Sequence, residues 1–118
     1  CFYTRAKEYA RLGQFLLDSG QVDGVQLIDR AFMAALMAPV GALPDGTDIQ
    51  HYGYQVWMGQ HEGHPFTACI GLHGQYILAV HDMDLVAVRT GFRRPKGKRD
   101  HLDVDVYSTV GLAMSLVD

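Results

Sequence analysis

Residues 71 to 91, GLHGQYILAVHDMDLVAVRTG, limit the possible folds more than any other part of the chain. Two apolar runs, Gln75 to Val80 and Leu85 to Arg89, are separated by only four residues, HDMD. This spacing predicts two neighbouring strands of an antiparallel sheet. Just before the first strand, the tetrapeptide GLHG places a leucine and a histidine between two glycines. The surroundings of this segment in the folded protein therefore bear directly on function.

Upstream of these strands, the spacing of apolar residues predicts two helices. The first extends from Thr4 to Gly20, and the second begins after Asp29, a plausible N-cap, and reaches about Met37. An Asp-Gly pair at 23–24 predicts a tight turn between them. From Ala42 to Gln50 the chain is rich in Gly, Pro, Asp and Thr, which indicates a loop.

The remaining segments complete an α+β fold. The aromatic run Tyr52 to Met58 and a run from Phe66 flank a hairpin-like connection, QHEGHP, and we predict three antiparallel strands in all. The tail from about Val104 to Val117 is ambiguous, because Val and Thr favour strands while its apolar residues recur with helical spacing. We predict a helix there, because a sheet with one apolar face needs a cover. Residues 1–118 should form a single domain.

Composition and charge exclude several classes of protein. The chain is 48% hydrophobic and 19% charged, which argues against disorder, and no apolar run approaches the roughly 20 residues of a membrane helix. The segment 93–99, RRPKGKR, holds five of the ten Lys and Arg. The net charge of the whole chain is -3, so the residues outside this segment carry a net charge of -8. Nucleic-acid binders usually spread positive charge over a face with interleaved aromatics. We therefore predict a solvated loop, with neither nucleic acid nor membrane as a partner.

The sequence gives no sign of a metal, a cofactor or a disulfide framework. Cys1 and Cys69 have no metal-ligand spacing, and the HEGH sequence at 61–64 lacks the helical His-Glu-x-x-His spacing of zinc proteases. Gly63 and Pro65 instead indicate a solvated hairpin tip. The chain begins at Cys1 without methionine or a signal-like segment, so we expect either further sequence upstream or a shortened chain.

Four segments in register carry a resemblance to a known family. They are RAKEYARLG at 5–13 with LLDSG at 16–20, YGYQVW at 52–57, GLHGQYI at 71–77, and DLV at 84–86. Together they resemble the C-terminal part of serine hydrolases of the β-lactamase and penicillin-binding family. The class C and 6-aminohexanoate-dimer hydrolase type is the most similar. Residues after Gly91 add only a generic helix.

The resemblance implies acyl transfer to a serine, with an ester, amide or β-lactam as the small-molecule substrate. In this family the serine of a Ser-x-x-Lys motif is the nucleophile, and the tyrosine of a Tyr-x-Asn motif assists proton transfer. Backbone N–H groups stabilise the oxyanion of the tetrahedral intermediate. Ser19, Ser108 and Ser115 are not followed by lysine at the third position, and the chain contains no asparagine. We therefore expect no complete catalytic set and no turnover by this chain alone.

The family's third motif has an altered counterpart in the segment from Gly71 to Gly74. If the resemblance holds, Gly71, Leu72, His73 and Gly74 form the edge of the cleft, with the Leu72 N–H as the second oxyanion donor. Trp57 and Tyr54 would then line the substrate pocket. Alternatively, the glycines only ease a bulge or twist, and His73 is an ordinary strand residue. The sequence Arg89-Thr90-Gly91 mimics Lys-Thr-Gly, but we expect it at the end of the last strand, away from the cleft.

Two functions from different classes remain open. The chain is either the C-terminal segment of a serine hydrolase or a non-catalytic module that keeps the scaffold and binds a partner or itself. A truncated sheet leaves open edges and an apolar helix face, which favour self-association. We therefore expect a homo-oligomer.

Overall fold

The structure, a computed structural model, describes residues 3–117 and has an α+β architecture. Within these residues the helices are α1 (Ala6–Leu17), α2 (Arg30–Leu36) and α3 (Val104–Ser115). None of them is long and apolar enough to cross a membrane. The strands, in chain order, are β1 (Gln21–Val22), β2 (Val25–Gln26), β3 (Trp57–His61), β4 (His64–Gly71), β5 (Gln75–Val80), β6 (Leu85–Arg89), β7 (Lys98–Arg99) and β8 (Leu102–Asp103).

The main sheet is antiparallel with the order β3-β4-β5-β6, so the prediction of three strands is wrong by one. Strand β4 pairs along both edges, through residues 64–68 with β3 and residues 66–71 with β5. Ala68 therefore lies opposite both Trp57 and Leu78. The sheet therefore extends one strand further than predicted. The β1–β2 hairpin and the β7–β8 ribbon are separate two-stranded sheets.

Tight turns set the register of the hairpins. The β3–β4 loop consists of Glu62 and Gly63, with φ of 50° and 88°, and His61 pairs with His64 across it. Two positive φ values fit the twist of a two-residue hairpin, which explains the glycine. The solvated hairpin tip predicted for this segment is confirmed, as is the turn at Asp23-Gly24.

Helices pack against both faces of the main sheet. Tyr76, Leu78 and Val80 alternate along β5 and are buried in one core with Val106 and Val110 of α3. The predicted C-terminal helix is therefore confirmed, and it covers an apolar face as expected. Each such buried side chain contributes about 1.5–3 kcal/mol. On the opposite face, α1 packs on β5 and β6.

The aromatic run at 52–58 is not one strand. The chain reverses at residues 53–56, where the Gly53 N–H donates to the Val56 carbonyl at 2.8 Å, and β3 begins only at Trp57. The Tyr54 N–H donates to the carbonyl of Leu36 at the end of α2 (3.1 Å). This contact, 18 residues away in sequence, favours the turn over the continuous strand that local β-propensity predicts.

Candidate functional site

The GLHG segment forms a hairpin tip rather than the start of a strand. Gly71 ends β4 opposite Gln75, and Leu72, His73 and Gly74 connect β4 to β5. His73 and Gly74 have φ of 61° and 84°, the left-handed region that glycine enters without strain. Leu72 is 72% exposed, so the backbone at the tip is not covered by a helix.

A pocket of about 300 Å³ lies beside this tip. Its lining residues come from β3, the end of β4 and the segment 94–103: Trp57, Ile70, Gly71, Leu72, Arg94, Lys98, His101, Leu102 and Asp103. Three residues singled out from the sequence, Trp57, Gly71 and Leu72, are thus brought together. Within the described residues, the lining does not include His73, Gly74 or Tyr54. Tyr54 lies in the turn next to α2.

Aromatic rings hold Trp57 at the wall of this pocket. The Tyr52 ring centroid lies 4.6 Å from that of Trp57, and the His51 ring lies 6.1 Å from it. His51 also stacks on His101, with centroids 4.0 Å apart and ring planes at 6°. Burial, and secondarily the charge of His101, lower the pKa of His51, so the neutral form of the His51 ring is favoured at neutral pH.

The basic segment supplies the charged wall of the pocket. Asp103, whose side chain is only 10% exposed, pairs with Arg94 at 2.6 Å and with Lys98 at 3.5 Å. Residues 93–99 are all exposed, so the predicted solvated loop is confirmed, but the ion pairs of Arg94 and Lys98 with Asp103 were not predicted. Two cations against one carboxylate leave a formal excess of one positive charge at the wall.

Arg89 ties the tip to the rest of the molecule. Its Nη1 donates to the Gly74 carbonyl at 2.7 Å and lies 3.4 Å from Asp105 Oδ2, while its Nη2 donates to the Arg93 carbonyl at 2.9 Å. As expected, Arg89 ends β6, the last strand of the main sheet, and within residues 3–117 the lining of the pocket does not include it. Its guanidinium still reaches the Gly74 carbonyl, because Arg89 pairs with Tyr76, close to the start of β5.

A buried network underlies this contact. The Tyr76 hydroxyl donates to Asp105 Oδ1 at 2.8 Å, and the Arg89 guanidinium lies 5.4 Å from the centre of the Tyr76 ring. Burial, together with the hydrogen bond to Asp105 and the charge of that carboxylate, raises the pKa of Tyr76 to about 12. A side chain at Gly74 would collide with the Arg89 guanidinium. Gly74 therefore has a structural reason to be glycine that does not depend on a ligand.

No protein-family model matches the chain, and no curated protein matches it. The site must therefore be interpreted from its own chemistry. Within residues 3–117, no three or more His, Cys, Asp or Glu side chains are grouped so that they could hold a metal ion. Ser108 and Ser115 donate to helix carbonyls of Val104 and Leu112, at 3.3 and 2.7 Å. Neither serine hydroxyl hydrogen-bonds to a base.

Sequence reasoning noted Arg89 and the basic segment 93–99 but missed the contacts that Arg89, Arg94, Lys98 and Asp103 make. Their partners lie 5 to 16 residues away on other elements or loops, so no local period reveals them. One signal was available for Arg89: a charged residue that ends an otherwise apolar strand needs a partner if it is buried.

Proposed function

We propose that this chain is the C-terminal part of a serine hydrolase of the β-lactamase and penicillin-binding family, and that the pocket beside residues 71–74 is one wall of its acyl-binding cleft. The observation that carries the proposal is that two family-like segments, separate in sequence, line the same pocket. Trp57 belongs to one of them and the pair Gly71-Leu72 to the other. Pairing of Trp57 with Ala68 brings the two segments together, and the surface they form there is concave.

The chemistry of this wall would be binding and charge stabilisation. The exposed tip leaves the Leu72 N–H near the pocket as a donor for the oxyanion of a tetrahedral intermediate, a contribution worth about 10²–10³ in rate per donor. Trp57 offers an apolar surface for the acyl or leaving group. The serine nucleophile and its base must come from a part of the protein other than this chain.

The charge of the wall narrows the substrate class. Arg94 and Lys98 share Asp103, and Lys98 remains 65% exposed at its side chain. An ester or amide with an anionic group could therefore place that group at Lys98 and its apolar part on Trp57. A neutral substrate would leave the cationic excess unused.

Binding to the isolated chain tests the proposal. Trp57 is the only tryptophan, so its fluorescence reports on the pocket, and amide NMR shifts report on Gly71 and Leu72. We expect N-acetyl-6-aminohexanoate to perturb these signals at millimolar concentration and its uncharged primary amide to bind more weakly. Lys98→Gln should weaken binding of the acid about threefold, as expected for an exposed ion pair, whereas Lys96→Gln in the same segment should leave it unchanged.

Two results would contradict the proposal. One is a set of shifts centred on Tyr54 or elsewhere, with Trp57, Gly71 and Leu72 unaffected at saturation. The other is labelling of Ser19, Ser108 or Ser115 by a fluorophosphonate together with turnover of p-nitrophenyl esters, because the chain alone would then have its own nucleophile.

A second candidate, a non-catalytic module that self-associates, is favoured by a different surface. Large apolar side chains are exposed along residues 22–54, and α2 buries only Met33. The exposed side chains are Val22, Val25, Leu27, Ile28, Phe32, Val40, Leu43 and Tyr54. Exposed apolar side chains that cluster on a folded protein often mark an interface, and eight of them lie within this one stretch of the chain.

Analytical ultracentrifugation distinguishes this candidate. Self-association through the 22–54 surface predicts a homodimer or larger assembly that Phe32→Glu converts to a monomer. Leu116→Glu is the matched control, because Leu116 is exposed but lies outside that surface. A clean monomer at high concentration, or equal effects of both variants, would exclude self-association through this surface.

A further inference from the structure

The outer edge of β3 has backbone groups that are not used within the sheet. Since β3 is the terminal strand, only one of its edges pairs with β4. The Met58 N–H donates to the His51 carbonyl at 2.8 Å, so the hydrogen-bonding groups of Met58 face away from β4. Alternate residues of a strand direct these groups to the same side, so those of Gln60 also face outwards.

The residue opposite Gln60 supports this orientation. Gln60 pairs with Pro65, which has no N–H to donate across the ladder. Within residues 3–117, no hydrogen bond outside the sheet involves the Gln60 backbone. One N–H and one C=O are therefore available to an incoming chain at this point.

A second cavity, of about 670 Å³, lies along this edge. Met58, Gly59 and Gln60 line it on the side of β3, and residues 48–51 and 99–101 line it elsewhere, with Tyr107. Its volume is in the range of ligand sites in proteins. The free edge is thus in a concave surface rather than on a convex one.

The charged residues that line this cavity are mainly acidic, so they favour a positively charged ligand. Three carboxylates, Asp48, Glu62 and Asp100, face one guanidinium, that of Arg99, which leaves a formal charge of -2 with neutral histidines. Arg99 is already engaged, because it lies 4.6 Å from the centre of the Tyr107 ring and 3.6 Å from Asp100. Within residues 3–117, Asp48 and Glu62 form no ion pair.

We propose that the β3 edge binds an extended basic segment of a partner protein, which adds a short strand through the backbone of Gln60 and places Lys or Arg side chains near Asp48 and Glu62. Strand addition of this kind draws affinity from main-chain hydrogen bonds and specificity from side-chain pockets. This interaction site is separate from the proposed acyl-binding wall, although His101 lines both cavities.

Peptide titrations followed by amide NMR test the proposal on the wild-type chain. A peptide of alternating Lys and Val should shift the Gln60 amide, and binding should weaken as salt is raised, since exposed charges are screened. The same peptide with N-methylated backbone amides should bind about tenfold more weakly, because it cannot complete the ladder. A peptide of alternating Glu and Val should not bind.

Substitutions at Gln60 distinguish the contribution of its backbone to peptide binding from that of its side chain. Gln60→Pro removes the outward N–H at an edge position that tolerates proline and should weaken binding about fivefold or more, whereas Gln60→Ala keeps the N–H and should leave binding unchanged. Glu62→Gln should weaken binding about twofold to threefold, and Asp84→Asn, outside the cavity, should have no effect. Equal binding of the basic and acidic peptides, equal binding of the N-methylated peptide, or no binding at millimolar concentration would overturn the proposal.

Discussion

Replacing Tyr76 by phenylalanine removes a single hydroxyl from the network that holds the hairpin tip. Tyr76 is 1% exposed, and its hydroxyl donates to Asp105 Oδ1 at 2.8 Å. The other oxygen, Oδ2, has no hydrogen bond within residues 3–117 and lies 3.4 Å from Arg89. In the Tyr76→Phe variant, the Asp105 carboxylate would keep its ion pair with Arg89 but lose the hydrogen bond from the Tyr76 hydroxyl.

The expected loss of stability follows from these contacts. A hydrogen bond to a charged group contributes about 1.5–3 kcal/mol, and the ring of phenylalanine fills the same space, so we expect a loss of about 2 kcal/mol. An unfolding entropy of about 2.1 cal/mol/K per residue gives about 0.25 kcal/mol/K for a chain of this length, so the melting temperature should fall by about 8 °C. Urea unfolding followed by circular dichroism measures the change directly.

Tyr107→Phe is the matched control. Tyr107 is 3% exposed and its ring packs on Phe66 and the Arg99 guanidinium, but within residues 3–117 its hydroxyl makes no hydrogen bond to a carboxylate. Its loss should cost less than about 1 kcal/mol. Equal costs for the two variants would refute the role given to the Tyr76–Asp105 hydrogen bond.

The same network predicts a dependence on alkaline pH. The pKa of Tyr76 is raised to about 12 in the folded protein, against about 10 in the unfolded chain. Because the folded state holds this proton more tightly, the stabilisation is complete below about pH 10 and is lost as the pH rises towards about 12. Tyr76→Phe should flatten the fall in stability over that range, and an unchanged profile would refute the assignment.

Three further changes have defined outcomes. Gly74→Ala should cost about 1–2 kcal/mol in urea unfolding, because its φ is 84° and the new methyl group meets Arg89; a neutral effect would contradict that geometry. Burial lowers the pKa of His81, which hydrogen-bonds to Thr67 at 3.0 Å, so stability should fall as the pH decreases below about 6.5, and His81→Gln should reduce that slope in pH-dependent unfolding. Asp29→Ala should cost about 1 kcal/mol, because Asp29 caps α2, and Asp29→Ser should restore most of the loss; equal losses in both variants would refute capping.

Local patterns were sufficient for much of the fold. The side chain of Asp29 accepts from the N–H groups of Ala31 and Phe32, as its position before an apolar segment predicts. The hairpin turns follow from residue pairs that tolerate positive φ, and the amphipathic tail is helical because it covers an apolar face of the sheet. The cap and the turns depend on residues within a few positions of one another, so a single sequence contains that information, whereas the helical tail follows from the need of the sheet for a cover.

Long-range contacts account for what the sequence did not reveal. Local propensity predicts one strand over residues 52–58, but a hydrogen bond from Tyr54 to Leu36 stabilises a turn there. The pocket itself depends on Asp103 pairing with Arg94 and Lys98, across the β7–β8 ribbon. The resemblance to family motifs predicts Trp57 and Leu72 as pocket residues, whereas the charged wall opposite them is revealed only by the three-dimensional structure.

The coding sequence upstream of Cys1 tests the proposed hydrolase assignment most directly. If the chain is the C-terminal part of a serine hydrolase, we expect an open reading frame that encodes Ser-x-x-Lys roughly 200 residues before Trp57, as for a catalytic domain of ordinary size. A start codon immediately before Cys1, or an upstream segment without a serine and lysine in that spacing, would contradict it.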